Sequence, residues 1–253
     1  NTPGIIWDLS LFFLKHFIHE KGLNKLLSSN KEICGVDFAK AVLDYFQIKY
    51  RILGEVPNEK RYIFTSNHPL GGIDANIFID AASKKNKDLK IIVSDYLMTF
   101  NNYHSIFLPI GSNGNQKREY SKNISEALRS ESQILIFPAG SVSRKKDGKV
   151  TDSSWSPSVI NWSLKYKRDI APVYIDGKNS KLFYSLSDIR KNLGIKMNLE
   201  EFLLPRETFN QKGKTFNIVF GEPIPYQKFT NELTPKEWAS IVYDKVYSLE
   251  KLI

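Results

Sequence analysis

The sequence predicts an α/β fold in which a mostly parallel central sheet is flanked by helices and preceded by an N-terminal helical lead-in. Two observations point to it. Short β-branched runs alternate with longer amphipathic ones through the middle of the chain, the rhythm of βαβ units. No internal repeat or low-complexity stretch interrupts that rhythm, so the 253 residues read as one domain, with 1–46 as the lead-in and 47–253 as the α/β core.

Each element has its own signal. The apolar segment 5–18 is cut by Asp8, Lys15 and His16 before it reaches the roughly 20 residues a bilayer span requires. It reads as an amphipathic helix packed on the core, with an interfacial alternative in which Trp7 and Phe12 enter lipid. Residues 23–30 continue the lead-in, and 35–46 form a further helix ahead of an edge strand at 48–54. Buried strands follow at 63–66, 90–94, 132–137 and 170–175, separated by helices at 75–83, 120–129 and 158–166. A strand at 215–220 is ended by Gly221, Pro223 and Pro225. Thr234 is an N-cap for the last helix, with Pro235 at its first position and Glu237 completing a capping box.

Composition narrows the functional classes. A chain that is 42% hydrophobic and 13% aromatic is not disordered. Thirty-six Lys and Arg against 27 Asp and Glu give a net charge of +9, which favours an anionic partner: nucleic acid, a membrane surface, or a phosphorylated or carboxylated substrate. No nucleic-acid-binding motif accompanies the charge, so nucleic acid is set aside. Cys34 is the only cysteine, which excludes an intramolecular disulfide and a cysteine-built zinc site; it reads as a small buried hydrophobe in a reducing compartment. Asp80 and Asp95 lack companions at ligand spacing, so no metal is expected.

In a parallel sheet, ligands bind beyond the carboxyl ends of the strands, and two post-strand loops there hold chemistry. The first is Thr65-Ser66-Asn67-His68-Pro69-Leu70-Gly71-Gly72-Ile73-Asp74. An imidazole at a strand end serves as a general base near neutral pH, and a carboxylate across a tight turn fixes its tautomer. His68 and Asp74 meet that need, with Gly71 and Gly72 allowing the backbone to fold back; the alternative reading is a satisfied turn histidine with Asp74 as an N-cap. The second is Phe137-Pro138-Ala139-Gly140-Ser141-Val142-Ser143-Arg144, followed by Lys145, Lys146 and Lys149. Hydroxyls at Ser141 and Ser143 and the fork of Arg144 suit a phosphate or carboxylate. His104 lies in a polar loop and reads as solvated.

These stretches resemble blocks of the glycerolipid acyltransferases, the lysophosphatidic acid acyltransferase-like family, and especially its bacterial branch that includes ornithine-lipid and glycine-lipid acyltransferases. Residues 67–74 are similar to the family's catalytic block and 137–144 to its acceptor-binding block. Ile170-Ala171-Pro172-Val173-Tyr174-Ile175-Asp176-Gly177 is similar to a further block on the acyl-chain side. Five residues separate His68 from Asp74 where the family commonly has four, and Ala139 stands where a glutamate is common. Phe107-Leu108-Pro109-Ile110-Gly111-Ser112 takes the place of a block that usually carries an arginine, with Lys117 and Arg118 nearby.

The resemblance implies a glycerol-3-phosphate acyltransferase-like fold and an acyltransferase with no cofactor. An acyl thioester, acyl-CoA or acyl carrier protein, would be co-substrate, and a lysolipid or amino-acid-lipid the acceptor. His68 and Asp74 would be catalytic, with Pro138, Ala139, Gly140, Ser141, Ser143 and Arg144 binding the acceptor. The alternative is a catalytically silent lysolipid-binding protein on the same fold. The expected setting is cytoplasmic, on the inner face of an anionic membrane surface.

Overall fold

The structure, a computed structural model, describes residues 19–111 and 114–253, with backbone alone at 114 and 115. The segment 5–18, with its interfacial alternative, lies outside the described residues. Helices α1 (Glu20–Ser29) and α2 (Gly35–Tyr45) lead into a seven-stranded sheet of order β1-β9-β8-β2-β5-β3-β4. Its strands are β1 (Lys49–Leu53), β2 (Tyr62–Ser66), β3 (Leu89–Ser94), β4 (Phe107–Ile110), β5 (Gln133–Ile136), β8 (Asp169–Ile175) and β9 (Thr215–Phe220). Five of the seven run the same way; β9 is antiparallel to β8, and β1 follows β9.

Strand alternation sorts the core into two layers. Phe64, Leu135, Ala171 and Ile218 face α2 and α3 (Gly72–Ser83), where they meet Phe38, Phe46, Ile77 and Phe78. Their neighbours Ile63, Ile134, Ile170 and Val219 face α4 (Gly114–Arg129), α5 (Ser158–Tyr166) and α8 (Pro235–Ser248). Strands buried on both faces read as continuous apolar runs, which is why they were legible. Pro172 sits inside central β8, a position proline normally cannot occupy. The β8–β9 ladder covers Val173–Ile175, the Pro172 carbonyl still accepts the Gly221 N–H at 2.9 Å, and a bridge joins Ile170 to Ile224 beyond it.

Arg168, fully buried, closes the opposite end of the sheet. Its guanidinium donates to the carbonyls of Ala127, Leu128, Ser130, Ser132 and Tyr62. It thereby caps the carboxyl end of α4 and ties it to the starts of β2 and β5, a favourable place for a cation. Burial lowers its pKa to about 10, so it remains charged at neutral pH.

The predicted capping box is present: Thr234 Oγ1 accepts from the Glu237 N–H, and the Glu237 carboxylate accepts from the Thr234 N–H. Cys34 is corrected, being exposed. It holds the extended N-cap position of α2, ahead of the face that buries Phe38 and Ala39. Besides the edge strand β4, a hairpin and two helices were not expected. The basic stretch after Ser143 is a hairpin, β6 (Arg144–Lys146) and β7 (Lys149–Thr151), turned at Asp147-Gly148 with φ 49° and 82°, as a type I′ turn requires. Helices α6 (Lys181–Asn192) and α7 (Leu204–Asn210) lie between β8 and β9.

Replacing Arg168 by methionine leaves several buried carbonyls without a donor. The expected loss is at least about 3 kcal/mol in urea unfolding; a change within about 0.5 kcal/mol would show that the guanidinium does not hold this end of the sheet.

Candidate active site

The loop after β2 leaves the sheet at its centre, where it is largely buried and its backbone groups have no strand partner. Asn67 supplies one remedy: its side-chain oxygen accepts the Ile175 N–H at 2.8 Å and its amide donates to the Ile175 carbonyl at 2.8 Å, extending the β2–β8 pairing with a side chain. Asp74 supplies the other. Fully buried at the first turn of α3, it accepts from the N–H of Leu70 at 2.7 Å and of Ala75 at 2.8 Å. The same carboxylate accepts from His68 Nδ1 at 3.1 Å. The longer His-to-Asp spacing is absorbed at Gly71, whose φ of 90° favours glycine. A Cβ there would also lie 3.1 Å from Leu204 of α7.

This contact fixes the chemistry of the ring. With Nδ1–H directed at Asp74, the lone pair of a neutral imidazole is on Nε2. Burial pulls the imidazole pKa down, but the charge and hydrogen bond of Asp74, aided by Asp152 and Glu201, outweigh it, and the net shift is upward from 6.5. Because the folded value exceeds the unfolded one, the stabilisation from protonated His68 is complete below pH 6.5. It fades as pH rises through the folded value.

The second loop is brought to the first by stacking and by a carboxylate. Phe137, next after β5, stacks on His68 with centroids 4.0 Å apart. The Ser143 N–H donates to the His68 carbonyl at 2.7 Å. Asp152 spans both loops, accepting from the His68 N–H at 3.2 Å, the Ser143 hydroxyl at 2.5 Å and Trp155 Nε1 at 2.9 Å. Its own N–H donates to the Tyr247 hydroxyl. Burial raises the Asp152 pKa, against the pull of these donors. Asp152 had no mark in the sequence: an aspartate among serines reads as a turn residue, and only the return of the β6–β7 hairpin carries it to His68.

The other predicted residues divide. Gly140 is exposed and Ser141 half-buried, beside Pro138 and Ala139 at the end of β5. The Ser143 side chain is buried on Asp152 rather than open to a ligand. Arg144 is engaged internally: Nε donates to Glu200 at 2.8 Å, Nη2 to Glu201 at 3.0 Å, and the guanidinium lies over Phe183. Glu200, fully buried, also binds Arg190 at 2.8 Å; burial works to raise its pKa, but hydrogen bonds and the two guanidiniums hold it below the usual value. Tyr174, Phe183 and Tyr184 are buried. His104 is exposed. Asp80 pairs with Tyr50 and Lys84. Among the described residues no cluster of His, Cys, Asp and Glu has the form of a metal site.

A histidine oriented by a buried carboxylate beside a second strand-end loop is an arrangement able to accept a proton from a hydroxyl or amine. The chain belongs to the acyltransferase family, whose profile matches residues 3–253. It is 36% identical over 241 residues to a lyso-glycine lipid O-acyltransferase of Bacteroides thetaiotaomicron, covering 94% of this chain and 88% of the relative. It is 36% identical over 240 residues to a protein of the same name from Phocaeicola vulgatus, covering 94% and 86%. In fold it is similar to the crystal structure of the 1-acyl-sn-glycerophosphate (LPA) acyltransferase PlsC from Thermotoga maritima, with a TM-score of 0.51, 17% identity, and 95% and 88% of the two chains covered.

The His68 ring should titrate above 6.5 by NMR, and Asp74→Asn should lower that midpoint by at least about one unit. An unchanged midpoint would mean the carboxylate does not act on the ring.

Proposed function

We propose that the chain transfers a fatty acyl group from an acyl thioester, acyl-CoA or acyl carrier protein, to the hydroxyl of a lysolipid of the lyso-glycine type. The observation that carries this reading is the 3.1 Å contact of His68 with the buried Asp74 at the carboxyl end of β2. Two relatives named for O-acylation of a lyso-glycine lipid support the acceptor.

Nε2 of His68 takes the proton of the acceptor hydroxyl as its oxygen attacks the thioester carbonyl, and Asp74 steadies the imidazolium that forms. The tetrahedral oxyanion collapses with cleavage of the carbon–sulfur bond, and the departing sulfur takes the proton back from His68. Products are the ester and a free thiol, and His68 is again neutral. Pro138, Ala139, Gly140 and Ser141 form the rim that meets the acceptor, with Ser143 holding that rim to Asp152. Arg144 supplies positive charge for an acidic head group. Its partner Glu201, with a side chain 27% exposed, is the carboxylate such a head group would displace.

With an acyl thioester and a lyso-glycine lipid, His68→Ala should lower kcat by about 10²- to 10⁴-fold with the fold retained by circular dichroism. In the wild type, kcat/KM should rise with pH through a midpoint above 6.5, since the base must be neutral to accept a proton. Near-normal turnover by His68→Ala, or no product from the wild type with any lysolipid, would overturn the reading.

A further inference from the structure

We propose that the segment 181–203, inserted between β8 and β9, is a docking element that lays the active site against an anionic lipid leaflet, an assignment that rests on the lysolipid reading above. Helix α6 has two apolar stripes. Phe183 and Tyr184 turn inward with Ser187 and Arg190, all buried. Leu182, Leu186, Ile189 and Leu193 recur at helical spacing on another face; Leu186 at its edge packs on the Phe183 and Tyr184 cluster, while among the described residues Leu182, Ile189 and Leu193 stand 46%, 55% and 69% exposed. The pattern continues past the helix, with Met197 60% and Phe202 64% exposed. Scattered apolar residues on a surface mean little, but this many in one short segment mark a contact surface.

Charge selects the occupant. Lys178, Lys181, Lys191, Lys196 and Lys212 are exposed around the segment. Of its acids, Glu200 is buried and Glu201 is paired with Arg144, leaving Asp188 as the exposed one. Apolar side chains set among lysines match an anionic leaflet, whose interior takes the apolar groups while its surface attracts the cations. A second copy of the chain would bring lysine against lysine.

Position adds a reason. The Ser143 N–H holds the His68 carbonyl, Arg144 follows Ser143, and Arg144 grips Glu200 and Glu201, immediately before Phe202. The segment is thus fastened to the loop that rims His68, and Leu204 behind it packs on Gly71. An acceptor drawn from the leaflet would have a short path to the base.

The test is co-sedimentation of the full chain with vesicles of phosphatidylcholine alone or mixed with phosphatidylglycerol. The wild type should pellet with the mixed vesicles. The combined Leu193→Glu, Met197→Glu, Phe202→Glu variant should lose at least about tenfold in partitioning while still acylating a detergent-dispersed acceptor. Lys191→Glu with Lys196→Glu should remove the preference for phosphatidylglycerol. A second measurement keeps the surface apolar: Met197→Cys in a Cys34→Ser background, labelled with an environment-sensitive dye, should shift to the blue only when mixed vesicles are added. A wild type that does not pellet, a glutamate variant that pellets like the wild type, or a dye already blue-shifted without vesicles would overturn the assignment. Vesicle binding through these residues without acylation of any lysolipid would overturn the substrate reading and leave the docking surface standing.

Discussion

A parallel strand that stops in the middle of a sheet strands its next peptide groups in a place with neither strand nor solvent to satisfy them. The end of the sheet that carries His68 is organised by how that constraint is met at β2. Asn67 borrows the Ile175 peptide, and Asp74 gathers the Leu70 and Ala75 amides. Asp152 takes the His68 amide. Each is an ordinary answer to an unmet backbone group, and together they leave His68 little freedom. The carboxylate that orients the ring is the one that also closes the turn, so the orientation of His68 and the stability of the loop come from the same contacts.

Electrostatics at the site follow from burial in company. Asp74 and Asp152 are both buried beneath a histidine, surrounded by N–H and O–H donors rather than by lysines. Such donors permit a buried negative charge without neutralising it, and that charge raises the affinity of His68 for a proton. The arginines solve a different problem. Glu200 joins Arg144 and Arg190, binding the insertion to the hairpin beside the site. Breaking one member would leave an uncompensated charge, so the three behave as a unit.

Much of the fold was legible because central strands buried on both faces and helices with one apolar stripe have strong periodic signals. The reading failed where the period is blurred. Helix α6 has two apolar stripes, and β4 is a short edge strand containing Pro109. The hairpin was hidden among lysines, although Asp147-Gly148 is the local signature of its turn.

The sequence by itself determined the alternation of strands and helices, the cap on the last helix, and the presence of a histidine and an aspartate around a glycine hinge. These are local matters of periodicity, φ preference and hydrogen bonding within a few residues. Only the tertiary structure decided that Asp152 underlies His68, that the Arg144 fork is held by Glu200 and Glu201, and that an apolar face of α6 is left uncovered. Those contacts join residues far apart in the chain. No local pattern specifies them, because they depend on which loops the sheet order carries to the same end.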